Sequence, residues 1–170
     1  MLFLHTAYSL LACLLLVAGA SAEVVFQNGP IRLTLAEESA EGLTPQRVEA
    51  GLLLAGADGV SMLLPDSADT DDEALMALVG PGPALNDFQL EEDLRMRVRA
   101  VPTGGGEERL DVVGILTQGD RTAPIGIIID EANAIRAEHG DELVPAMLRA
   151  LRSIVELIEP DPAGDTLPAD

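Results

Sequence analysis

Three stretches between Leu94 and Ile129 carry the residue pattern of β-strands. From Leu94 to Ala100 apolar residues alternate with arginines, and this two-residue period is typical of a strand with one buried face. After the glycines of Gly104 to Gly106, Leu110 to Leu116 is the predicted returning strand. Ala123 to Ile129 ends in a run that is apolar on both faces, which is typical of a central strand. We therefore expect a largely antiparallel sheet of three or more strands.

The C-terminal part of the sequence predicts the helices that cover this sheet. Asp130 can cap a helix over residues 131–139, and Asp141 can cap a second helix that runs to about Ile158. Apolar residues of the second helix recur at intervals of three and four, which is typical of a helix with one buried face. These residues are Leu143, Val144, Met147, Leu148, Leu151, Ile154, Val155 and Ile158. Burial of each contributes about 1.5–3 kcal/mol, so we expect this helix to be the principal anchor of the fold.

The N-terminal half predicts a mixture of short elements. Residues 24–35 indicate a β-hairpin that turns at Asn28-Gly29, and a predicted helix runs from Thr44 to about Ala55. A short helix over residues 74–79 is followed by the strong break of Gly80 to Pro83, a possible joint within the domain. The predicted fold class is therefore α+β: a single small domain with a largely antiparallel sheet covered by C-terminal helices.

The first 22 residues have the features of a secretory signal peptide. An apolar run from Leu10 to Ala18 is followed by Ala20-Ser21-Ala22, the small-residue pattern that signal peptidase recognises. We therefore expect cleavage after Ala22, a domain over residues 23–160 and a disordered acidic tail over 161–170, in a periplasmic or secreted protein. The alternative is an uncleaved N-terminal helix that anchors the chain in a membrane. No later stretch of the sequence is long and apolar enough to span a bilayer.

Charge and composition exclude several function classes. The chain carries 29 acidic residues, 10 arginines and no lysine, and its net charge of −19 lies entirely after Ala22. Such a field repels phosphate backbones and anionic lipids, so nucleic-acid binding is not expected. The absence of lysine excludes Schiff-base and pyridoxal chemistry and a Walker-type phosphate site. After residue 22 there is no cysteine and only Phe26 and Phe88 are aromatic, so disulfides and aromatic stacking platforms are not expected either.

The densest group of possible metal ligands is the acidic stretch over residues 66–73. Calcium is bound by about six to eight oxygen atoms, which carboxylates can supply. The carboxylates of this stretch belong to Asp66, Asp69, Asp71, Asp72 and Glu73. Their spacing departs from the EF-hand loop, because Ala74 and Gly80 occupy the positions where that loop has glycine and glutamate. The other interpretation is a solvated loop whose last carboxylates stabilise the N-terminus of the following helix.

Arg95, Arg97 and Arg99 form the only concentration of positive charge. Their alternation along one strand places the three guanidiniums on one face of the sheet, where they could bind an acidic protein or a small anionic ligand. A hairpin that closes at the three glycines would place them opposite Ile115, Val113 and Asp111. The other interpretation is a half-covered face on which the arginines pair with carboxylates of the same chain.

No catalytic constellation is recognisable in the sequence. His139 is the only histidine after residue 22, no serine lies in a Gly-x-Ser-x-Gly motif, and a lone histidine cannot build a zinc site. The leading hypothesis is an exported, non-catalytic binding protein without a cofactor, whose contact surface is the arginine face or an edge strand. The alternatives are an exported hydrolase that uses an Asp/Glu pair and a calcium-binding module built on residues 66–73.

Overall fold

Antiparallel strands dominate the part of the chain that the computed structural model describes, residues 22–132 and 140–159. In chain order the elements are β1 (Glu23–Asn28), β2 (Ile31–Ala36), α1 (Glu37–Ala40), β3 (Leu43–Val48), β4 (Gly51–Gly56), β5 (Val60–Pro65), α2 (Asp72–Leu75), β6 (Asn86–Glu91), β7 (Leu94–Gly104), β8 (Glu107–Gln118), β9 (Arg121–Ile129), α3 (Leu143–Ile154) and β10 (Val155–Leu157). No helix among these residues combines the length and the apolarity that crossing a membrane requires.

Within the described residues the strands form two sheets. The larger sheet has seven strands in the order β3-β4-β5-β9-β8-β7-β6, and the smaller has three in the order β1-β2-β10. All neighbouring strands are antiparallel. The predicted α+β class with a largely antiparallel sheet in a single domain is therefore confirmed.

The strand pattern from Leu94 to Ile129 is confirmed in detail. β7 and β8 pair in the register that places Arg99 opposite Asp111, as the glycine turn implies. β9 is the middle strand of the larger sheet, and its apolar end is buried on both faces. A strand with neighbours on both edges and cover on both faces has no side that tolerates a polar residue, which explains its composition.

The two faces of the larger sheet are covered by different parts of the chain. On one face Ile127 belongs to a core that also contains Leu151 of α3 and Leu33 of the smaller sheet. On the other face Val113 of β8 belongs to a smaller core with Leu75 of α2. The sheet thus lies between two unequal apolar layers, and the thinner one is closed by the connection between β5 and β6.

The predicted C-terminal helix is present but shorter than expected. Its apolar stripe from Leu143 to Leu151 is buried, whereas the chain leaves the helix after Ile154 and forms β10. β10 pairs with the edge of β2, and Val155 and Leu157 are both buried in the main core. A run of one polar residue between two apolar residues fits a strand as well as the end of a helix. The sequence alone therefore could not distinguish a strand from a helix here.

Packing of α3 on the sheet is close at one point, where Gly114 of β8 leaves room for Leu148. A Cβ atom added at Gly114 would lie 2.5 Å from Cδ2 of Leu148. The other predicted helix, over residues 131–139, lies almost entirely outside the described residues. Coverage of the sheet by a pair of C-terminal helices therefore stays a prediction.

The predicted helix from Thr44 to Ala55 is wrong, because this stretch forms the hairpin of β3 and β4. Leu52 and Leu54 enter the main core, while Leu53 lies on the opposite face of the sheet. Gly51 has a φ of +153°, and a Cβ there would lie 2.0 Å from the carbonyl oxygen of Leu64. β5, the next strand along the chain, pairs with β4 on the side opposite β3, so this stretch is held as a strand from both sides.

The first hairpin is confirmed, with its turn one residue later than expected. Asn28 still belongs to β1 and pairs with Ile31, so the turn consists of Gly29 and Pro30. Asn28 is buried despite its polar side chain, which donates hydrogen bonds of 2.9 Å to the carbonyl oxygens of Leu64 and Pro65. The hairpin is thereby attached to the end of β5.

Leu148→Ala tests the packing of α3 on β8. Leu148 is completely buried, so we expect its truncation to lower the free energy of unfolding by about 2–5 kcal/mol in urea titrations. Leu78→Ala is the matched control, since Leu78 is 44% exposed and its loss should change stability by less than about 0.5 kcal/mol. Equal effects of the two substitutions would contradict this packing.

Candidate binding surface

A connection that we name the strap, residues 66–85, crosses the arginine-bearing face of the larger sheet between β5 and β6. Leu75 and Met76 of the strap are buried against this face. Gly126 of β9 makes room for them, because a Cβ there would lie 3.1 Å from Cε of Met76 and 3.2 Å from Cγ of Leu75. The predicted short helix is α2, which begins at Asp72, two residues earlier than expected, and ends at Leu75.

Asp111 is the centre of a buried ionic group under the strap. Its Oδ2 accepts a hydrogen bond of 2.7 Å from Nε of Arg99, and its Oδ1 accepts one of 2.8 Å from Nε of Arg109. The side chain of Asp111 has no exposed surface. Arg99 also donates to the carbonyl oxygen of Gly80, and Arg109 donates to that of Val79, both at 3.0 Å. The group therefore attaches the C-terminal half of the strap to the sheet.

The other two arginines of the predicted site also have partners within the chain. Arg97 forms an ion pair with Asp72 of α2, and Arg95 forms one with Asp87 of β6. The two sites that the sequence predicted separately, the arginine row and the acidic stretch, thus meet in one set of contacts. The face on which Arg95, Arg97 and Arg99 lie is held by the chain's own carboxylates and carbonyl groups.

The acidic stretch is divided among several structural roles. Asp66 forms an ion pair of 2.9 Å with Arg47 and accepts a hydrogen bond of 2.9 Å from Asn28. Asp71 caps α2 by accepting a hydrogen bond of 2.7 Å from the backbone N–H of Ala74. Within the described residues no three acidic or histidine side chains are grouped as metal ligands. Calcium binding by residues 66–73, including Asp69 and Glu73, stays a prediction of the sequence.

Arginines also form ion pairs with carboxylates of the same chain at the other end of β6. Arg152 of α3 forms ion pairs with Glu91 and Asp93, and Arg149 forms one of 3.1 Å with Glu91. The hydrogen bond to Asp93 raises the pKa of Arg152 above its ordinary value, and the charges of both carboxylates act in the same direction.

Sequence analysis missed β6, an edge of the larger sheet. Each of its residues from Asn86 to Gln89 is exposed, and Phe88 exposes 47% of its surface. The signal was present, since Phe88 and Leu90 alternate with Asp87 and Gln89 directly after the break that ends in Pro83. His139, by contrast, lies outside the described residues.

Two solved structures resemble this fold at low sequence identity. The Saccharomyces cerevisiae Ran-binding protein Mog1p is 13% identical, with 84% of this chain matched to 97% of that one and a TM-score of 0.48. A point mutant of protein Mog1 gives the same identity and TM-score over 83% of this chain and 97% of its own. No protein-family model matches the chain, and no curated protein matches it in sequence. Similarity at this level concerns the fold alone. Neither a binding partner nor an activity can be transferred from these proteins to this chain.

The predicted periplasmic or secreted location is contradicted by these neighbours and is withdrawn. One of them is named a Ran-binding protein, and neither name refers to export. Residues 1–21, on which the prediction of export depended, lie outside the described residues, and their interpretation as a signal peptide has gained no support. The yeast neighbour is named a binding protein; for this chain, binding without catalysis stays a prediction.

Asp111→Ala tests the buried ionic group. Its removal leaves the guanidiniums of Arg99 and Arg109 without their carboxylate in a largely buried site, so we expect a loss of about 3–5 kcal/mol in the free energy of unfolding. Asp69→Ala, at an exposed position of the strap, should cost less than about 0.5 kcal/mol. Urea titration measures both, and a loss below about 1 kcal/mol for Asp111→Ala would contradict the structural role of this group.

Proposed function

We propose that this chain is a non-catalytic binding protein that receives an extended, basic segment of a partner protein as an added strand beside β6. Edge strands present unpaired backbone N–H and C=O groups, and a partner strand can bind to them. The proposal rests on the position and exposure of β6. Among the described residues it is a terminal strand of the larger sheet, and its side chains are mostly exposed.

Two of the other edges, β3 and β10, are less suitable for strand addition. β3, the opposite edge of the same sheet, contains Pro45, which lacks a backbone N–H and interrupts a ladder of hydrogen bonds. β10, an edge of the smaller sheet, has only three residues. β6 has six residues and neither proline nor glycine, and its register with β7 shifts between Gln89 and Glu91. The remaining edge, β1, matches it in length and in lacking proline and glycine, so the choice of β6 rests on its place in the larger sheet and on the exposed side chain of Phe88.

Side chains on the two faces of β6 define what the added strand should carry. Phe88 pairs with Met96 and is half exposed, so an apolar side chain of the partner could pack beside it. Asp87 lies on the opposite face with Arg95 and Arg97. A segment in which apolar and polar residues alternate fits this arrangement, because successive side chains of a strand point to opposite faces.

Charge favours a basic segment over an acidic one. Every arginine that the structure describes is bound to a carboxylate or carbonyl group of the chain itself. The chain as a whole has a net charge of −19, so the field that an approaching partner meets is negative. A second copy of the chain is disfavoured for the same reason, and so is a small anionic ligand.

The catalytic alternative has less support. Asp111, a buried carboxylate held by two arginines, has no exposed surface that a substrate could reach. Glu91 and Asp93 both form ion pairs with Arg152.

Photo-crosslinking at two matched glutamines tests the proposed edge. p-Benzoylphenylalanine replaces Gln89 in β6 in one variant and Gln46 in β3 in the other, both exposed residues within edge strands. The probe is a short capped peptide in which valine and lysine alternate, and the control peptide alternates valine and glutamate. We expect mass spectrometry to find the lysine peptide attached at position 89 and not at position 46.

Three results would overturn the proposal: equal attachment at both positions, equal attachment of the glutamate peptide, or links that join two copies of the chain. Phe88→Ala examines the side-chain contribution, since one cross-strand aromatic contact contributes about 0.2–1 kcal/mol. That loss corresponds to a rise in the peptide Kd of up to about fivefold. Val25→Ala, at an exposed apolar residue of the smaller sheet, should leave the Kd unchanged.

A further inference from the structure

Asn28 occupies a position where the fold requires a carboxamide. Its Nδ2 lies 2.9 Å from each of three oxygen atoms, the carbonyl oxygens of Leu64 and Pro65 and Oδ1 of Asp66. Its Oδ1 accepts a hydrogen bond of 2.6 Å from Nη1 of Arg47. The side chain is buried, so these groups and not water satisfy its amide.

The residue that follows must be glycine. Gly29 has a φ of +48°, and a Cβ atom there would lie 2.4 Å from the carbonyl oxygen of Asp66. The contact with the end of β5 therefore imposes the dipeptide Asn28-Gly29. Because glycine has no Cβ, its backbone nitrogen can approach the preceding asparagine side chain with the least hindrance of any residue.

We propose that Asn28 is a site of spontaneous deamidation that the folded state blocks and whose product the fold does not accept. In the unfolded chain the Gly29 backbone nitrogen, after losing its proton to water, attacks Cγ of Asn28. A bond forms between that nitrogen and Cγ, the bond from Cγ to Nδ2 breaks, and Nδ2 leaves as ammonia. Water then opens the cyclic imide to aspartate or isoaspartate, so the net reaction consumes one water and releases one ammonia.

The folded state blocks the first step because Nδ2 is fixed by its three acceptors. Attack requires the carboxamide to rotate toward the Gly29 nitrogen, which would break these hydrogen bonds inside the protein without replacement by water. The buried position also limits access of the water that must take the proton and open the imide. Loss of the fold removes both obstacles together.

The fold rejects the product because each neighbour of Nδ2 is an oxygen. Aspartate at position 28 would place a carboxylate oxygen against two carbonyl oxygens and the carboxylate of Asp66, with only Arg47 as a donor. Isoaspartate would in addition lengthen the backbone at the end of β1 and disturb its register with β2. Unfolding that lasts long enough for deamidation would therefore become irreversible.

The test compares the full chain kept in native buffer with the full chain kept unfolded in urea at the same pH and temperature. Trypsin releases a peptide ending at Arg32 that contains Asn28 as its only asparagine, and a peptide ending at Arg95 that contains Asn86. Mass spectrometry follows the conversion of amide to acid in each. Asn86 is exposed on β6 and serves as the internal control for an asparagine whose side chain is not buried.

We expect the Asn28 peptide to be converted at least tenfold faster in urea than in native buffer, while conversion of the Asn86 peptide changes much less. After dilution from urea, the fraction of chains that refold should fall in step with the converted fraction. Equal conversion rates in the two conditions, or full refolding of converted chains, would overturn the proposal.

Asn28→Asp reproduces one product directly, with Asn86→Asp as its control. We expect the Asn28→Asp chain either to unfold at a lower urea concentration or to fail to fold, and the Asn86→Asp chain to keep the parent midpoint. An unchanged midpoint for Asn28→Asp would also overturn the proposal, and the mass-spectrometric comparison does not depend on either variant folding.

Discussion

The carboxylate of Asp111, enclosed between Arg99 and Arg109, is the interaction on which the candidate surface depends. A buried carboxylate is tolerated only where cations and hydrogen bonds replace water, and two guanidiniums do so here. The same guanidiniums hold the carbonyl groups of Val79 and Gly80, so the strap lies against the sheet face. Because the strap leads into β6, the buried charge on β8 fixes the connection that precedes the edge strand of the same sheet.

This arrangement determines the electrostatic character of the exterior. Arginine is the chain's only strongly basic residue type, and the described arginines are all engaged by groups of the same molecule. Carboxylates greatly outnumber them, so the surplus charge that remains for a partner is negative. The arginine row, which resembles an anion-binding site in the sequence, thus forms ion pairs and hydrogen bonds within an acidic protein.

Local patterns were sufficient to predict the middle of the sheet and insufficient for its ends. The alternation in β7 and the apolar run in β9 both indicated strands, which the structure has. The glycine turn between β7 and β8 indicated the register that pairs Arg99 with Asp111. The run Leu52 to Leu54 fits both a helix and a strand, and the pairing of β4 with β3 and β5 decides between them. The strap could not be predicted because attraction between Asp72 and Arg97 depends on proximity that spacing does not encode.

The central claim is that β6, and not β3, is the edge that receives a basic partner strand. Backbone hydrogen–deuterium exchange on the full chain tests this most directly, because an added strand protects the amides to which it binds. With the alternating valine–lysine peptide present, we predict slower exchange for amides of residues 86–91 and unchanged exchange for residues 43–48. Unchanged exchange in β6, or protection confined to β3, would contradict the account.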